Sequence, residues 1–384
     1  MRHRVVLHLR RAGHPKGRVR LRQPPGVHRG ARVQPGPGVL GPVDERGDAP
    51  RPDAPGGLLT GGELVAGVKQ TLSVDLAGIR LASPVVAASG CAGTGRELAG
   101  LTDLRRLGGL VTRSLTFEPS RGWPGPRVAE TASGIVTGVG LQNPGVRAFV
   151  AEDLPRLARA GIPVMASVGG GSLQGYIRAA SILRGEPGIV GLEVYLSGAD
   201  EENRGLPFYS RIDRMAEVVG AVSRLSTVPV FAKLPALLPD LVPAARGCIR
   251  AGAHGLTLID SVPGMAVDVR RLRPRLGAII GGLSGPAIRP IALAAVFRVA
   301  QDLPQVPVMG VGGIATAEDA VEFLLAGAWA VQVGTALIVN PSAPTEIAQG
   351  IAGYLKAKGL ASPGDLRERM RLTGEQPARG TSAS

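Results

Sequence analysis

Eight short apolar segments, separated by stretches whose apolar residues recur every three or four positions, predict a (β/α)8 TIM barrel for this 384-residue chain. Two glycine clusters support that expectation. Gly310-Val311-Gly312-Gly313-Ile314 ends the seventh segment, and Gly334-Thr335 ends the eighth. In barrels of this kind the loops after strands seven and eight turn backbone N–H groups toward a phosphate, so the same pattern predicts a phosphorylated ligand. The alternative is that these glycines only permit tight turns from strand to helix.

The chain opens with a segment unlike the rest. Residues 1–70 hold 13 Lys/Arg against 5 Asp/Glu, more than half of the excess behind the overall net charge of +14. With Pro24-Pro25, Pro35-Gly36-Pro37-Gly38 and Ala54-Pro55-Gly56-Gly57 and almost no apolar period, this stretch predicts a disordered basic extension. An arginine-rich arm suggests nucleic acid, but it lacks interleaved aromatic residues, so no nucleic-acid partner is expected. Nothing in the fold needs it, and a gene start near Leu64 to Val68 would account for it.

From residue 71 to 360 the pattern is that of a barrel. Leu72–Leu76, Ala77-Gly78 and Ile79–Leu81 predict a short N-terminal hairpin. The barrel strands are expected at Pro84–Ala88, Gly109–Thr112, Pro163–Val168, Ile189–Leu196, Pro229–Leu234, Gly255–Ile259, Pro307–Val311 and Ala330–Val333. Amphipathic periodicity predicts helices at Leu154–Ala160, Ile212–Leu225, Leu241–Ala251, Ile291–Gln301, Ala317–Leu325 and Pro344–Lys356. Between strands two and three, Leu115 to Ala148 is a long Gly- and Pro-containing insertion, expected to be a lid or a partner surface. Residues 361–384 read as a C-terminal tail.

Composition excludes several classes. Cys91 and Cys248 can form neither a disulfide framework nor a zinc site, which predicts a reducing cytoplasm. No apolar run approaches the ~18 residues of a membrane span, so no membrane partner is expected. His254 is the only histidine beyond residue 28, which argues against histidine-based metal sites and triads.

Chemistry in this fold sits at the C-terminal ends of the strands. In order these ends present Ser89, then Arg113 and Ser114, Ser167, Tyr195 and Ser197, Lys233, and finally Ile259, Asp260 and Ser261. Lys233 is the informative one, because a lysine ending an otherwise apolar strand must face the barrel mouth or a compensating carboxylate. Arg113 is the second cation there.

At this point the residues resemble a known family. Gly282-Leu283-Ser284-Gly285-Pro286-Ala287-Ile288, the run Met309 to Ala328, Val331-Gln332-Val333-Gly334-Thr335-Ala336, Pro126–Thr131 and Gly140–Gly145 are similar to the dihydroorotate dehydrogenases, most of all to class 1B catalytic subunits. The resemblance runs from about Leu72 to Leu360. It implies FMN, with the phosphate held by Gly312, Gly313, Gly334 and Thr335. Ser89, Arg113, Ser114, Ser167, Lys233, Ile259 and Gly285 would line the ribityl chain and ring, with Lys233 near the N1/O2 edge. It also implies a homodimer core and a separate iron–sulfur and FAD subunit, a cluster that two cysteines could not hold here.

The substrate half departs from the family. Its cysteine base falls at Gly198, which cannot take a proton, and leaves Ser197 as the neighbouring candidate. Thr137, Ser167, Tyr195 and Asp260 stand where asparagines that bind substrate or flavin are usual, and Thr137, Tyr195 and Asp260 are expected with Arg113 and Ser261 to bind substrate. An Asp260 carboxylate facing a substrate carboxylate would repel it by roughly 4 kcal/mol at ~4 Å and an effective dielectric near 20, unless Arg113 or a proton compensates. Three readings follow: oxidation of dihydroorotate to orotate in pyrimidine biosynthesis, oxidation of another dihydro-heterocycle such as a dihydropyrimidine, or a flavin-binding subunit without catalysis.

Overall fold

The computed structural model describes residues 71–238, 241–367, 369 and 370. The expectations for residues 1–70 and 371–384 lie outside the described residues. Eight parallel strands close a barrel: Val85–Ala87, Gly109–Val111, Val164–Val168, Ile189–Tyr195, Val230–Leu234, Gly255–Leu258, Val308–Val311 and Ala330–Val333. Each pairs with the next in sequence, and the eighth closes on the first through Val331 beside Val85 and Val333 beside Ala87. The expected strands are all present, most of them trimmed by one residue at an end.

The hairpin Val74–Leu76 and Ile79–Leu81 has a physical task. Its Leu76, Ile79 and Leu81 pack with Val86, Val111, Met165, Phe231, Met309 and Ala330 in one buried cluster, which plugs the N-terminal end of the barrel. Burying each such side chain contributes roughly 1.5–3 kcal/mol. A larger cluster lies between strands and helices, and there the amphipathic faces of Ile212–Leu225 and Leu241–Arg250 are buried. Among the described residues, the longest helix outside the expected set is Leu173–Leu183. It starts where the Ser172 hydroxyl accepts from the Gly175 amide at 3.2 Å.

Order continues past residue 360. Thr71 donates its amide to the Ala361 carbonyl at 2.9 Å, Gly364–Arg367 forms a helical turn with Leu366 buried, and the Arg367 guanidinium lies 3.9 Å from the Trp329 ring centroid. The long insertion is also more regular than its composition suggests. Val128–Thr131 and Gly134–Thr137 form a hairpin that joins Val262–Gly264 and Gly281–Ser284, from the segment after the sixth barrel strand, in a four-stranded antiparallel sheet. Among the described residues no helix is long and apolar enough to cross a membrane.

Candidate active site

The pleat of the barrel strands sorts their inward side chains by height. Two residues beyond Met165, Phe231 and Ala330 of the apolar plug come Ser167, Lys233 and Gln332, and Thr257 lies beside Lys233 in register. Glu193 of the fourth strand joins this layer and is completely buried. Its Oε2 accepts from Thr257 Oγ1 at 3.0 Å and from Gln332 Nε2 at 2.9 Å. The other oxygen, Oε1, makes no hydrogen bond and lies 3.8 Å from Lys233 Nζ.

Lys233 is thus placed as its position in an apolar strand requires, with compensation from two sides. Its ammonium is buried at the base of the mouth, and Asp260 Oδ1 lies 3.8 Å away, as far as the fully buried Glu193. Burial pulls its pKa down, but the charges of Glu193 and Asp260 outweigh that and hold it above the ordinary lysine value. Lys233 therefore stays protonated. Asp260 is not an isolated negative charge either, since Lys233, and not Arg113, partners it.

Arg113 turns elsewhere. Its guanidinium pairs with Glu97 at 2.7 Å and donates to the Gln142 carbonyl at 3.1 Å, so it ties the first βα loop to the long insertion. Burial works to raise the Glu97 carboxyl, yet backbone donors at Glu97 and Thr94 and the Arg113 charge bring it below its ordinary value. Around this pair the small hydroxyls are mutually engaged: Ser89 donates to the Thr112 carbonyl at 2.8 Å, and Ser114 and Ser167 share a hydrogen bond at 3.0 Å. Ile259, buried, follows the sixth strand.

The two glycine loops sit side by side because strands seven and eight are neighbours. Gly312 and Gly313 adopt φ of 127° and 78°, and a side chain on Gly313 would meet the Arg289 backbone at 2.8 Å. The following helix, Ala317–Leu325, is fixed by a capping box: Thr316 Oγ1 accepts from the Asp319 amide, and Asp319 accepts from the Thr316 amide at 2.9 Å. Asp319 also pairs with Arg289, which braces the back of the loop. On the eighth-strand side Thr335 Oγ1 lies 2.9 Å from Ser284 Oγ, and a side chain on Gly285, at φ 96°, would come within 3.5 Å of Thr335. The structure therefore brings Gly285, Gly312, Gly313, Gly334 and Thr335 to one edge of the mouth.

The loop after strand four carries the remaining candidates. Tyr195 lies beside Lys233 in register, and its ring occupies the room next to Gly198: a Cβ there would stand 3.6 Å from Tyr195 Cε1 and 3.4 Å from the Gly170 carbonyl oxygen. Burial and, after it, the Asp260 charge push the Tyr195 phenol well above its ordinary value, so it keeps its proton. Ser197 Oγ is buried beside the Tyr195 phenol, its neighbouring polar group, without a hydrogen bond of ordinary geometry. Asp200 does not face the mouth chemistry at all. It is fully buried, both oxygens are taken by Arg214 at 2.9 and 3.2 Å, and it also accepts from the Glu202 amide at 3.1 Å. Thr137 and Ser261 belong to the insertion sheet or its approach, Thr137 Oγ1 reaching the Gly282 carbonyl at 3.5 Å and Ser261 filling the space a side chain on Gly282 would need.

Sequence reasoning missed Glu193, Glu97 and Arg214. A glutamate interrupting Ile189–Tyr195, on the strand next to the one that carries Lys233, was the available signal for the first. Glu97 and Arg214 lie on helical segments, where charged residues are common and carry no such signal.

A barrel with a buried ammonium in its mouth and adjoining glycine loops on strands seven and eight is the architecture of enzymes that hold a phosphate-bearing cofactor over a reacting centre. Residues 71–355 match the family model for dihydroorotate dehydrogenase, and the chain belongs to that family of oxidoreductases acting on CH–CH bonds. It is 43% identical over 304 residues to the dihydroorotate dehydrogenase B (NAD(+)) catalytic subunit of Geotalea daltonii, covering 79% of this chain and 99% of the relative. The corresponding subunit of Desulforudis audaxviator is 44% identical over 307 residues, 80% of this chain and 100% of the relative. That of Geotalea uraniireducens is 43% identical over 298 residues, 78% and 97% respectively.

Proposed function

We propose that this chain binds FMN at the barrel mouth and oxidises dihydroorotate to orotate in pyrimidine biosynthesis, within the cytoplasm. The observation that carries the reading is the protonated, buried Lys233 set beside the glycine loops of the last two strands. The mouth fits the cofactor: Gly312, Gly313, Gly334 and Thr335 would hold its phosphate, Ser89, Arg113, Ser114, Ser167, Ile259 and Gly285 would border the rest, and the left-handed glycines let backbone approach closely. Bound there, FMN would supply the hydride acceptor.

The residues of the chain do the remaining work. Lys233 offers a positive charge where reduction adds negative charge. Tyr195, protonated, donates a hydrogen bond to substrate, with Thr137, Arg113, Asp260 and Ser261 as its companions in the substrate half. Ser197, with a buried hydroxyl next to Gly198, would take up the proton that leaves carbon only as it hands its own hydroxyl proton on to a water molecule, so that it acts as a relay and not as a terminal base. Electrons then pass to a separate subunit with an iron–sulfur cluster and FAD, on a homodimeric core. The relatives are named as catalytic subunits, which supports such a partner.

The test is anaerobic. Purified protein reconstituted with FMN should bleach when dihydroorotate is added, at a rate about 10²–10⁴ below that of a site with an effective general base, because a serine hydroxyl accepts protons poorly. Protein that takes up no FMN would defeat the cofactor assignment, and FMN-loaded protein that dihydroorotate never bleaches would defeat the substrate assignment.

A further inference from the structure

The cluster Glu193–Lys233–Asp260 contains more negative than positive charge, and the mechanism above gives Glu193 no part. Two carboxylates face one ammonium, each at 3.8 Å, beyond hydrogen-bond length. Lys233 is therefore shared between them and committed to neither. Glu193 cannot swing away, because strands six and eight hold its other oxygen through Thr257 and Gln332. Asp260, by contrast, reaches the mouth with 14% of its side chain exposed, against 7% for Lys233 and none for Glu193. The other titratable groups facing Lys233 are the Cys91 thiol, from the loop after strand one, and the Tyr195 phenol of the adjoining strand. Burial keeps both protonated, so neither alters the count.

We infer that Glu193 and Asp260 set how readily the bound flavin is reduced: Glu193 is a positioning residue that acts by holding the Lys233 ammonium, and Asp260 makes the cluster net anionic. The inference rests on the FMN reading above. A lysine alone would favour the electron-rich reduced ring; a cluster of net charge −1 opposes it. The enzyme accordingly holds a flavin that gives up electrons easily and accepts them reluctantly.

The experiment uses the full chain reconstituted with FMN, with two readouts that do not depend on turnover: the two-electron reduction potential, measured against redox dyes, and the dissociation constant for sulfite, which adds to electron-poor flavins. Asp260→Asn should shift the reduction equilibrium at least tenfold toward the reduced form, about 30 mV upward for a two-electron couple, and tighten sulfite binding by a similar factor. Glu193→Gln should move both in the same direction. It should also lower the pH at which the potential profile bends, because Lys233 then loses its proton more readily. Asp302→Asn removes a carboxylate from the ion pair with Arg246 on the outer helices and should change neither readout.

If Glu193→Gln fails to fold, Asp260→Asn decides alone. Potentials and sulfite constants within twofold of the unmodified protein, or a downward shift in Asp260→Asn, overturn the inference while FMN binding stands. A protein that takes up no FMN overturns the reading and the inference together.

Discussion

At the scale of single residues, Gly198 and Tyr195 have to be considered as a pair. In the resemblance, a cysteine and an asparagine stand at these positions; here the side chain at 198 has vanished and the one at 195 has grown into the room beside it. The loop keeps its packing with its bulk redistributed. Gly198→Cys alone should therefore recover less than tenfold in the rate of flavin bleaching by dihydroorotate, since its Cβ fits at 3.4–3.6 Å but the phenol occupies the adjoining space. The double variant Gly198→Cys with Tyr195→Asn should recover much more than either single change, a non-additivity that stopped-flow measurement on all three proteins would read directly. Equal, additive effects would mean that the two positions act separately.

Lys233 was legible in the sequence because a charge in an apolar strand needs a reason. Its partner Glu193 obeys the same logic but is hidden inside a seven-residue strand, where the eye follows the apolar pattern and passes over one acid. Asp260 shows a related limit: its residue type reveals a negative charge, but only the folded barrel reveals that Lys233 lies 3.8 Å away and is shared with Glu193.

Among the elements, the segment after strand four shows how a charged residue can be structural in the middle of an active-site loop. Asp200 has no exposed surface, and Arg214 on the helix Ile212–Leu225 closes both of its oxygens while also pairing with Glu202 and Glu217. The bidentate pair pins the loop that carries Ser197 to the following helix. Removing the cation leaves a buried acid unpaired, so Arg214→Ala should cost about 3 kcal/mol or more in denaturant unfolding. A loss under 1 kcal/mol would show that the loop relaxes to let water reach Asp200.

The barrel strands and most helices are legible from period and length, since each is a local pattern. The insertion sheet is not, because its strands are four residues or fewer and its central pairing, Gly281–Ser284 beside Gly134–Thr137, joins residues more than 120 positions apart. Periodicity cannot report a pairing of that range. Composition marks where the insertion lies but not that its residues form strands.

On the scale of the whole molecule, two phenols, two thiols and one ammonium in the interior shift in a common direction. Tyr176, Tyr195 and Cys91 are raised, Cys248 is pushed up to about 12, and Lys233 is held above its usual value. Desolvation drives the thiols and phenols, and neighbouring carboxylates drive the lysine. A group raised in the folded state stabilises it fully below its unfolded pKa, and that contribution is lost as pH climbs through the folded value. Stability should therefore fall progressively from about pH 9 upward, beginning with the cysteines and continuing through the tyrosines and Lys233. Denaturant midpoints measured between pH 7 and 11 would check it; a flat profile across that range would show that these groups are already solvated in the native state.

The insertion sheet has one more consequence. Its hairpin Val128–Thr131 and Gly134–Thr137 springs from the first half of the barrel, while Val262–Gly264 and Gly281–Ser284 spring from the second. Like a buckle whose tongue and frame are sewn to opposite ends of a belt, it can be exchanged between homologues only as a matched set. Chimaeras that import one insertion without the other would inherit half a clasp, and the barrel beneath could be intact while nothing fastened above it.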